Sequence, residues 1–361
     1  MNALEIDYLA VGDGTRSGDA IALRYGLYEN DEWKSQYVMT IDGGNKSTGE
    51  KLVKHIKEVY NTSIVNCAIL THPDGDHASG MKVVVENMDV KDILMHRPWR
   101  HRQDLKDSIV DGRVTANSLT ESLKEAYRYA YEIEEIATKR KIDITAPHQG
   151  FFFHHGDNVP VLRVLAPGKD FYLELIKRSG KTPEMETAEI IEKSVEFSED
   201  KKEVDEDMRF ETEHLTEEHG ETSAENDMSL IILLEVAGKR VLFTGDAGTM
   251  GMYKALEYTV KNKIDLTTLN VFHVPHHGSR RNLSKGILSK ILAKQAYISC
   301  AAKGAPSHPS AIVTNALIRR SMTPYCTQGK GLRYFTSNLG QRPGWSSATA
   351  IPFSNKVLID K

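Results

Sequence analysis

The sequence predicts an α+β fold in which helices cover β-sheets. Short apolar stretches with strand character alternate along the chain with stretches of helical spacing. Clusters of His, Asp and Gly stand directly after several of these strands, where loops can aim side chains into one cleft. The 361 residues are 40% hydrophobic and 27% charged, which excludes a wholly disordered chain. We expect a single domain over residues 1–361.

The first half of the chain predicts strands separated by helices. Leu52, Val53 and Ile56 fall on one helical stripe, and residues 64–70 form the continuous apolar run of a strand buried on both faces. We expect strands over residues 6–11, 20–25, 36–41, 64–70 and 91–95, helices over residues 48–60, 78–85 and 114–140, and a hairpin built from residues 150–153 and 159–165.

The composition changes over residues 184–225, where Glu, Asp, Lys, Thr and Ser dominate. We expect this acidic segment to be an insertion within the domain, either a mobile segment or a solvated lid, and a candidate docking site for a protein partner. Core-like sequence then returns. It predicts a hairpin from residues 229–236 and 240–243, strands over residues 269–274 and 295–300, and a helix over residues 312–320.

Charge and cysteine content exclude several classes of protein. With 46 basic and 50 acidic residues the net charge is −4, so the chain is not a uniformly basic nucleic-acid binder, although local basic patches remain. Three cysteines exclude a disulfide scaffold and suit a reducing compartment; Cys67 and Cys300 lie in apolar strands and Cys326 has no paired motif. Since the sequence also lacks a long apolar run and a signal-peptide pattern, we expect a cytoplasmic protein.

The densest cluster of potential metal ligands follows the strand at residues 64–70. His72, Asp74, Asp76 and His77 lie within six residues, and imidazole nitrogens with carboxylate oxygens suit zinc, manganese or iron. The alternative is that Asp74 or Asp76 merely caps the next helix beside two incidental histidines. The recurrence of both residue types in so short a segment favours the metal site.

Three further elements supply ligand types after strands. Asp246 ends a hairpin, His276 and His277 follow the strand at residues 269–274, and His308 lies in a later loop. Each of these residues alone is more often an ordinary turn, surface or core residue. Together with the first cluster they supply enough nitrogen and oxygen ligands for two metal ions.

In this order the motifs resemble the metallo-β-lactamase superfamily, in particular its ComEC/Rec2-like branch and the related phosphorylcholine esterase type. The resemblance covers most of the chain, with Asp74 at the place where the commonest superfamily motif has a second His. The usual separate His between the first motif and the bridging Asp has no clear counterpart, and the acidic segment is not an expected core element. The matching motifs are Gly18-Asp19-Ala20, Ile41-Asp42-Gly43-Gly44, residues 71–77, Asn226-Asp227-Met228-Ser229, Thr244-Gly245-Asp246, residues 274–279 and His308-Pro309-Ser310.

The resemblance implies an αββα sandwich, with two mixed β-sheets packed face to face and helices outside. It also implies two divalent ions, with zinc favoured over manganese or iron. His72, Asp74 and His277 would hold one ion, Asp76, His77 and His308 the other, and Asp246 would bridge them. His277 is favoured over His276 as the ligand, but the choice between them stays open. Asp19, Asp42 and Asn226 would orient ligands or simply form turns.

The implied chemistry is hydrolysis. Two ions roughly 3.5–4 Å apart acidify a shared water, and the bridging hydroxide attacks phosphorus or a carbonyl carbon. The candidate catalytic residues are therefore Asp76, Asp246, His276 and His308, with either histidine able to pass a proton to the leaving group.

Basic residues near these motifs favour a phosphodiester substrate, either nucleic acid or a nucleotide. Arg97 and Arg100 flank Trp99, and Arg280 and Arg281 directly follow the histidine pair. Either patch fits a solvated surface equally well. A carbonyl substrate such as a thioester or lactone, or a non-catalytic metal-binding regulatory module, is the alternative. The sequence gives no sign of a serine nucleophile elbow or a phosphate-binding loop, nor does it indicate the oligomeric state.

Overall fold

Two large mixed β-sheets form the centre of the molecule in the computed structural model, which describes residues 2–12, 18–105, 115–154, 160–182, 201–217, 220–302 and 308–360. In the first sheet the strand order is β16-β1-β2-β4-β5-β6-β7, with β3 paired to β2. Its strands are β1 (Asn2–Tyr8), β2 (Ala20–Glu29), β3 (Glu32–Trp33), β4 (Tyr37–Gly43), β5 (Ile64–Ile69), β6 (Asp89–Leu94), β7 (Asp143–Thr145) and β16 (Leu332–Phe335).

The second sheet has the order β15-β14-β13-β12-β11-β9-β8, and β10 and β17 form a separate two-stranded sheet. The strands are β8 (Phe152–His154), β9 (Pro160–Ala166), β10 (Lys201–Asp205), β11 (Ile231–Val236), β12 (Lys239–Phe243), β13 (Leu269–His273), β14 (Ala293–Ile298), β15 (Thr323–Cys326) and β17 (Lys356–Asp360). Both large sheets are mixed: β4 to β7 and β12 to β15 run parallel, and their other neighbours pair antiparallel.

Three apolar cores show how the layers stack. One lies between the sheets and joins residues such as Ile6 and Met39 of the first to Val164 and Val271 of the second. The other two lie under the outer helices of each sheet. The α-helices are α1 (Lys46–Val59), α2 (Gly75–Asn87), α3 (Arg102–Leu105), α4 (Ala116–Ala126), α5 (Arg128–Arg140), α6 (Lys169–Arg178), α7 (Ala224–Asp227), α8 (Thr249–Lys261), α9 (Lys285–Leu288) and α10 (Ala311–Arg319). The αββα sandwich expected from the sequence is therefore confirmed.

The long helix predicted over residues 114–140 is wrong as a single element. The chain leaves helical geometry at Tyr127, with φ −109° and ψ 40°, and forms α4 and α5 instead. The Tyr127 side chain is buried, and its hydroxyl lies 3.0 Å from Ser179 Oγ and donates to Glu225 Oε1 at 3.1 Å. These partners are distant in sequence, so helical periodicity alone does not reveal the break. The sequence pattern did not predict α6, α8 or β15 to β17. Residues 155–159 of the predicted hairpin lie outside the described residues.

Residues 201–217 of the acidic segment are packed against the domain. β10 pairs with β17, and Glu206 is buried against the Arg319 guanidinium at 3.0 Å. Glu213 is buried and paired with Arg320 at 2.6 Å. The acidic composition of this part therefore reflects internal ion pairs as well as solvation. A lid or a docking role for the whole segment stays a prediction, and residues 183–200 and 218–219 lie outside the described residues.

Cys300 and Cys326 form a disulfide, with their Cα atoms 6.7 Å apart. Cys300 therefore does more than lie in an apolar strand, and Cys326 has a partner although no paired motif surrounds it. β14 and β15 are parallel neighbours with Ile298 opposite Cys326, which brings together two cysteines separated by 26 residues. Cys67 is free and buried. Among the described helices, none combines the length and the apolar character needed to cross a membrane.

Candidate metal centre

The loops that carry the predicted ligands meet where the two sheets approach each other. The loop after β5 holds residues 71–74, and its Thr71 carbonyl accepts the Leu230 N–H of the second sheet at 3.0 Å. On the second sheet the Gly245 carbonyl after β12 accepts the His276 N–H after β13 at 3.1 Å. The first bond ties the loop after β5 to the segment that precedes β11, and the second ties the ligand-bearing loops after β12 and β13 to each other.

Asp42, at the end of β4, fixes the first of these loops. Its Oδ1 accepts the Thr71 N–H at 2.7 Å, and its Oδ2 accepts the Thr71 hydroxyl at 2.6 Å and the His77 Nδ1–H at 2.9 Å. Because Nδ1 of His77 carries the proton for this bond, its Nε2 keeps a free lone pair. These contacts suit the orienting role predicted for Asp42, which stays a prediction, because one of its oxygens also lies within 4.8 Å of ligand atoms of His72 and His77.

Thr71 and Ser229 orient His72 in the same way. Nδ1 of His72 lies 3.0 Å from Thr71 Oγ1 and 3.3 Å from Ser229 Oγ. Since the Thr71 hydroxyl proton is committed to Asp42, its oxygen accepts from His72 and leaves Nε2 unprotonated. Ser229 Oγ also accepts the Asp246 N–H at 3.1 Å, so one hydroxyl connects two ligand loops.

The histidine pair after β13 sits in an unusual turn. His276, His277 and Gly278 all have positive φ, at 47°, 57° and 78°, which is uncommon for two successive non-glycine residues. A Cβ at Gly278 would lie 2.7 Å from Pro309 Cβ, so only glycine allows this close approach to the His308 loop. This backbone turn directs both imidazoles toward Asp246.

Each imidazole of the pair has its own acceptor behind it. The Ser299 carbonyl accepts the His277 Nδ1–H at 2.7 Å. Asn282 donates its amide to the Asp246 and Ala247 carbonyls at 3.0 and 3.2 Å, which leaves its Oδ1 facing His276 Nδ1 at 3.0 Å. Both histidines thus present Nε2 to the site, and the choice between His276 and His277 as ligand is not forced by orientation.

Asp246 is the centre of this arrangement. Its Oδ2 lies 3.3 Å from Nε2 of His77, 3.8 Å from Nε2 of His277 and 3.9 Å from Nε2 of His276. His77, Asp246 and His277 form a buried group of ligand atoms that all lie within 4.8 Å of one another. Gly245 before it has φ +49°, and a Cβ there would lie 2.8 Å from Thr71 Oγ1.

Burial and attraction act in opposite directions on the pKa values of these groups. Burial lowers the pKa of His77, but the carboxylates of Asp246 and Asp42 outweigh it and hold that pKa well above the usual value. Burial raises the pKa of Asp246, but His77, His277 and His276 outweigh it and hold that pKa well below the usual value. Asp246 faces Nε2 of His77, so the carboxylate that favours a second proton there would equally favour a metal cation in its place, which then takes up the Nε2 lone pair.

The residues fit a divalent cation by a direct structural test. Nε2 of His72, Nε2 of His77, Oδ1 of Asp246 and Nδ1 of His308 are buried and have no hydrogen-bond partner. Buried polar atoms are normally paired, and these unpaired nitrogen and oxygen atoms are of the types that a divalent cation such as zinc takes as ligands. The His and Asp clusters are therefore compatible with metal binding.

Asp74, Asp76 and His308 lie at the edge of this arrangement. Among the described residues, neither group of closely spaced ligand atoms includes any of the three. Asp74 occupies the N-cap of α2 but makes no capping hydrogen bond with its side chain, so the capping alternative does not account for it. Its Oδ1 accepts from Lys181 Nζ at 2.6 Å, and its Oδ2 lies 3.9 Å from His72 Nε2. Asp76 is half-buried in the first turn of α2.

His308 faces the histidine pair from the other side. Its ring centroid lies 6.1 Å from that of His276 and 6.4 Å from that of His277. Burial, followed by the neighbouring His277 and His276, lowers the pKa of His308 to about 3, so its imidazole is neutral and able to bind a metal. Its roles as ligand and proton donor stay predictions.

Two of the predicted orienting residues, Asp19 and Asn226, have polar neighbours of their own. Asp19 Oδ1 lies 3.4 Å from Nε2 of the buried His273, beneath the site. Asn226 Nδ2 donates to Thr222 Oγ1 at 2.7 Å and lies 3.4 Å from His276 Nδ1.

The predicted basic patches differ in their surroundings. Arg97 and Arg100 both bind the buried Glu134 carboxylate, at 3.0 and 2.8 Å, and Trp99 Nε1 donates to its other oxygen at 2.6 Å. This patch is therefore tied into an ion-pair network. Arg280 donates to the Leu358 carbonyl at 3.5 Å, and the Arg281 N–H donates to Ser279 Oγ at 3.3 Å.

Sequence reasoning missed three residues that hold the site together. Thr71 links Asp42 to His72, Asn282 fixes His276, and Lys181 binds Asp74. Thr71 directly precedes the ligand motif and Asn282 follows the histidine pair by a few residues, so proximity to a motif was the available signal. Lys181 is remote from every motif and no signal in the sequence marks it.

Comparison with known families gives one match by sequence. The family model described as the Metallo-beta-lactamase superfamily matches residues 64–302. This span runs from β5 past the end of β14 and contains His72, His77, Asp246 and His277. A search of curated proteins finds no relative.

Several solved structures are similar to this chain at low identity and low TM-score. The metallo-β-lactamase fold protein YhfI from Bacillus subtilis is 8% identical, over 92% of this chain and 99% of that chain, with a TM-score of 0.42. A diphosphatase from the PhnP family is 9% identical, over 93% and 98% of the two chains, with a TM-score of 0.38. A metallo-β-lactamase homologue from Thermotoga maritima is 13% identical, over 73% and 90%, with a TM-score of 0.33. Similarity at this level carries no argument about activity.

Proposed function

Because the chain belongs to the metallo-β-lactamase superfamily, whose members are mostly metal-dependent hydrolases, we propose that it is a metal-dependent hydrolase that cleaves phosphodiester bonds in a nucleotide or nucleic acid. The observation that carries this proposal is the buried Asp246 carboxylate, which has three imidazole Nε2 atoms within 3.9 Å of Oδ2. The order of the motifs, with an Asp at position 74, supports placement in the ComEC/Rec2-like branch.

The chain's own ligands suit zinc best, with manganese or iron as alternatives. His72, Asp74 and His277 would hold one ion, Asp76, His77 and His308 would hold the other, and Asp246 would serve both. When bound, divalent ions supply Lewis acidity and lower the pKa of water to near neutrality. The backbone and hydroxyl contacts behind each histidine keep the ligands in place without further rearrangement.

His276 is the imidazole best placed to move a proton. Its side chain is 31% exposed, against 7% for His277, so it borders the cleft. Burial lowers the pKa of His276, which keeps it neutral at pH 7. With Nδ1–H held by Asn282, the free Nε2 takes a proton and then returns it to the leaving oxygen.

Cationic side chains near the ligand loops favour a phosphodiester over a thioester or lactone. Lys181 Nζ lies 2.6 Å from Asp74 Oδ1 and remains 41% exposed. Arg280 and Arg281 follow the histidine turn directly. A phosphodiester carries a negative charge at the reacting centre that such cations attract, whereas the carbonyl substrates are neutral there.

The test is hydrolysis of bis-p-nitrophenyl phosphate by the zinc- or manganese-loaded chain, beside a panel of thioesters and lactones. We expect turnover of the phosphodiester and its loss in His277→Gln, while His154→Gln, which changes an exposed histidine of β8, serves as the matched control. Equal turnover by wild type and His277→Gln at equal metal content would exclude catalysis at this site. Faster turnover of the thioesters or lactones would establish the carbonyl alternative, and a full metal load with no turnover of any of these esters would favour the non-catalytic metal-binding module.

A further inference from the structure

A cavity of about 440 Å³ lies beside the metal loop. Residues of the loop after β5, the junction of α4 with α5 and the segment after α6 form its walls. Those that matter here are Pro73, Gly75, Tyr127, Arg128, Tyr129 and Lys181. Pro73 and Gly75 flank Asp74 in sequence, so the cavity borders the loop that carries this candidate ligand, and of its wall only Lys181 has a role in the functional assignments above.

Lys181 stands between this cavity and the metal centre. Its Nζ donates to Asp74 Oδ1 at 2.6 Å, lies 4.0 Å from Glu225 Oε1 and sits 5.2 Å from the centroid of the Tyr127 ring. An ammonium group has three donors, and the side chain is 41% exposed. The contact with Asp74 therefore positions the cation and leaves donors for the oxygen of a phosphate.

Tyr129 provides an aromatic surface in the same cavity. It is a large side chain with 36% exposure, and the Arg128 guanidinium lies 5.0 Å from its ring centroid. A Cβ at Gly75 would lie 3.3 Å from the Tyr129 ring, so the absence of a side chain there keeps the ring next to the metal loop. A second cavity of about 660 Å³ also includes Arg128 and Tyr129, so the ring borders open space on two sides.

We propose that this cavity binds the nucleoside part of a phosphodiester substrate. The base stacks on Tyr129 with Arg128 beside it, and Lys181 contacts a non-bridging oxygen of the phosphate at the metal centre. The inference rests on the proposed phosphodiesterase function and narrows its substrate to nucleotides. The wall carries two cations, Arg128 and Lys181, against one carboxylate, Glu125, so its net positive charge makes a quaternary ammonium group, and hence a choline ester, the less suitable occupant.

The kinetic test compares two esters with the same leaving group, thymidine 5′-p-nitrophenyl phosphate and methyl p-nitrophenyl phosphate. We expect the metal-loaded wild type to prefer the nucleoside ester in kcat/KM. Tyr129→Ala should reduce this preference by roughly 5- to 100-fold, mainly through KM, because one base–aromatic stack is lost. Tyr129→Phe keeps the ring and should restore the preference. Lys139→Ala, at an exposed site on the same helix, is the matched control.

A binding measurement separates this inference from the proposed function. Calorimetry of thymidine 5′-monophosphate with the metal-loaded full chain should show weaker binding for Tyr129→Ala and for Lys181→Met than for wild type. Such binding without hydrolysis of any ester would support the nucleoside site and overturn the hydrolase. Hydrolysis with an unchanged preference in Tyr129→Ala would overturn the nucleoside site alone. A preference for p-nitrophenylphosphorylcholine that Tyr129→Ala removes would assign the cavity to choline esters instead.

Discussion

Two clusters of buried charged side chains differ in how their polar atoms are paired. The first lies on β1, where Glu5 and Asp7 are fully buried. The second is the candidate metal centre around Asp246. Both clusters place carboxylates among cationic or imidazole groups in the interior. The first cluster is satisfied by hydrogen bonds within the chain, whereas the second keeps several polar atoms without partners.

The β1 cluster is satisfied within the chain. Glu5 binds Arg24 at 2.7 Å, Arg342 at 2.7 Å and the Arg333 guanidinium. Asp7 accepts from Arg342 at 2.8 Å, from Tyr60 at 2.9 Å and from His55 at 2.9 Å. The arginines come from β2, β16 and the segment after β16, so the cluster joins the two ends of the chain.

The metal centre keeps several ligand atoms without partners. Nε2 of His72, Nε2 of His77 and Oδ1 of Asp246 are buried and unpaired, although the Nδ1 of each of these histidines is held by an oxygen atom. A buried charge cluster that is complete contributes to stability, whereas one that is oriented but incomplete is prepared for a ligand. Pairing, and not burial or charge, separates the structural cluster from the functional one.

The largest expected effect is on catalysis, from Asp246→Asn. Loss of the carboxylate removes the anionic ligand at the centre of the site, and several kcal/mol of charge stabilisation correspond to a fall in kcat of about 10³-fold. The measurement is turnover of bis-p-nitrophenyl phosphate at equal metal content, with circular dichroism to verify folding. Wild-type turnover by the variant would show that the cluster around Asp246 is not the functional one.

The next effect is on stability, from Glu5→Ala. Three arginines lose a buried partner, and breaking a buried ion pair costs about 3–5 kcal/mol in the free energy of unfolding. Urea unfolding measures the loss. Glu58→Ala is the control, because that exposed carboxylate only pairs with Lys54 at 3.9 Å and its removal should cost about 1 kcal/mol or less. A loss no larger than that of the control would show that the β1 cluster is not structural.

A smaller effect is expected from Ser229→Ala, which removes the hydroxyl between His72 and Asp246. Such contacts behind metal ligands are typically worth about 10–100-fold in metal affinity. Competition with a chelating dye gives the dissociation constant, and Ser47→Ala, at an exposed hydroxyl of α1, is the control. An unchanged affinity would mean that His72 is oriented by Thr71 alone.

The smallest effect is a pH dependence of stability at Asp7. Burial raises the pKa of Asp7, but His55 and Arg342 outweigh it and hold the pKa below its ordinary value of 3.8. The ionised group therefore stabilises the fold above that value, and the contribution disappears as the pH falls through the lowered pKa. The difference in unfolding free energy between wild type and Asp7→Asn should stay level above about pH 5 and shrink as the pH falls below the ordinary value of 3.8. A difference that stays constant over this range would contradict the assignment.

Much of the candidate site followed from local sequence. His72, His77, Asp246, His276 and His277 each stand just after an apolar strand, and the parallel strands of the sandwich deliver such loops to a common edge. The orienting role expected for Asp42 rested on the Asp-Gly turn after β4, and the structure gives Asp42 three hydrogen bonds from Thr71 and His77. Strand ends are predictable because hydrophobic periodicity and glycine turns are encoded within a few residues.

Contacts between remote segments were not predictable in this way. In the sequence, Arg97 and Arg100 form a basic patch beside a tryptophan. Only the fold shows that Glu134 of α5 neutralises both arginines. Lys181 reaches Asp74 across more than a hundred residues, and Cys300 meets Cys326 because β14 and β15 are neighbours. Nothing in either local sequence carries information about the partner.

From the sequence by itself, the hydrophobic pattern predicted helices over sheets and the strand-end clusters gave candidate ligands, because both act over short distances along the chain. The order of the motifs gave the family resemblance, and that resemblance implied the αββα layers. The tertiary structure alone decided which nitrogen of each histidine faces the site, which basic side chains are already paired and where a cavity adjoins the metal loop. Those features depend on hydrogen bonds and ion pairs between segments that meet only after the two sheets have packed together.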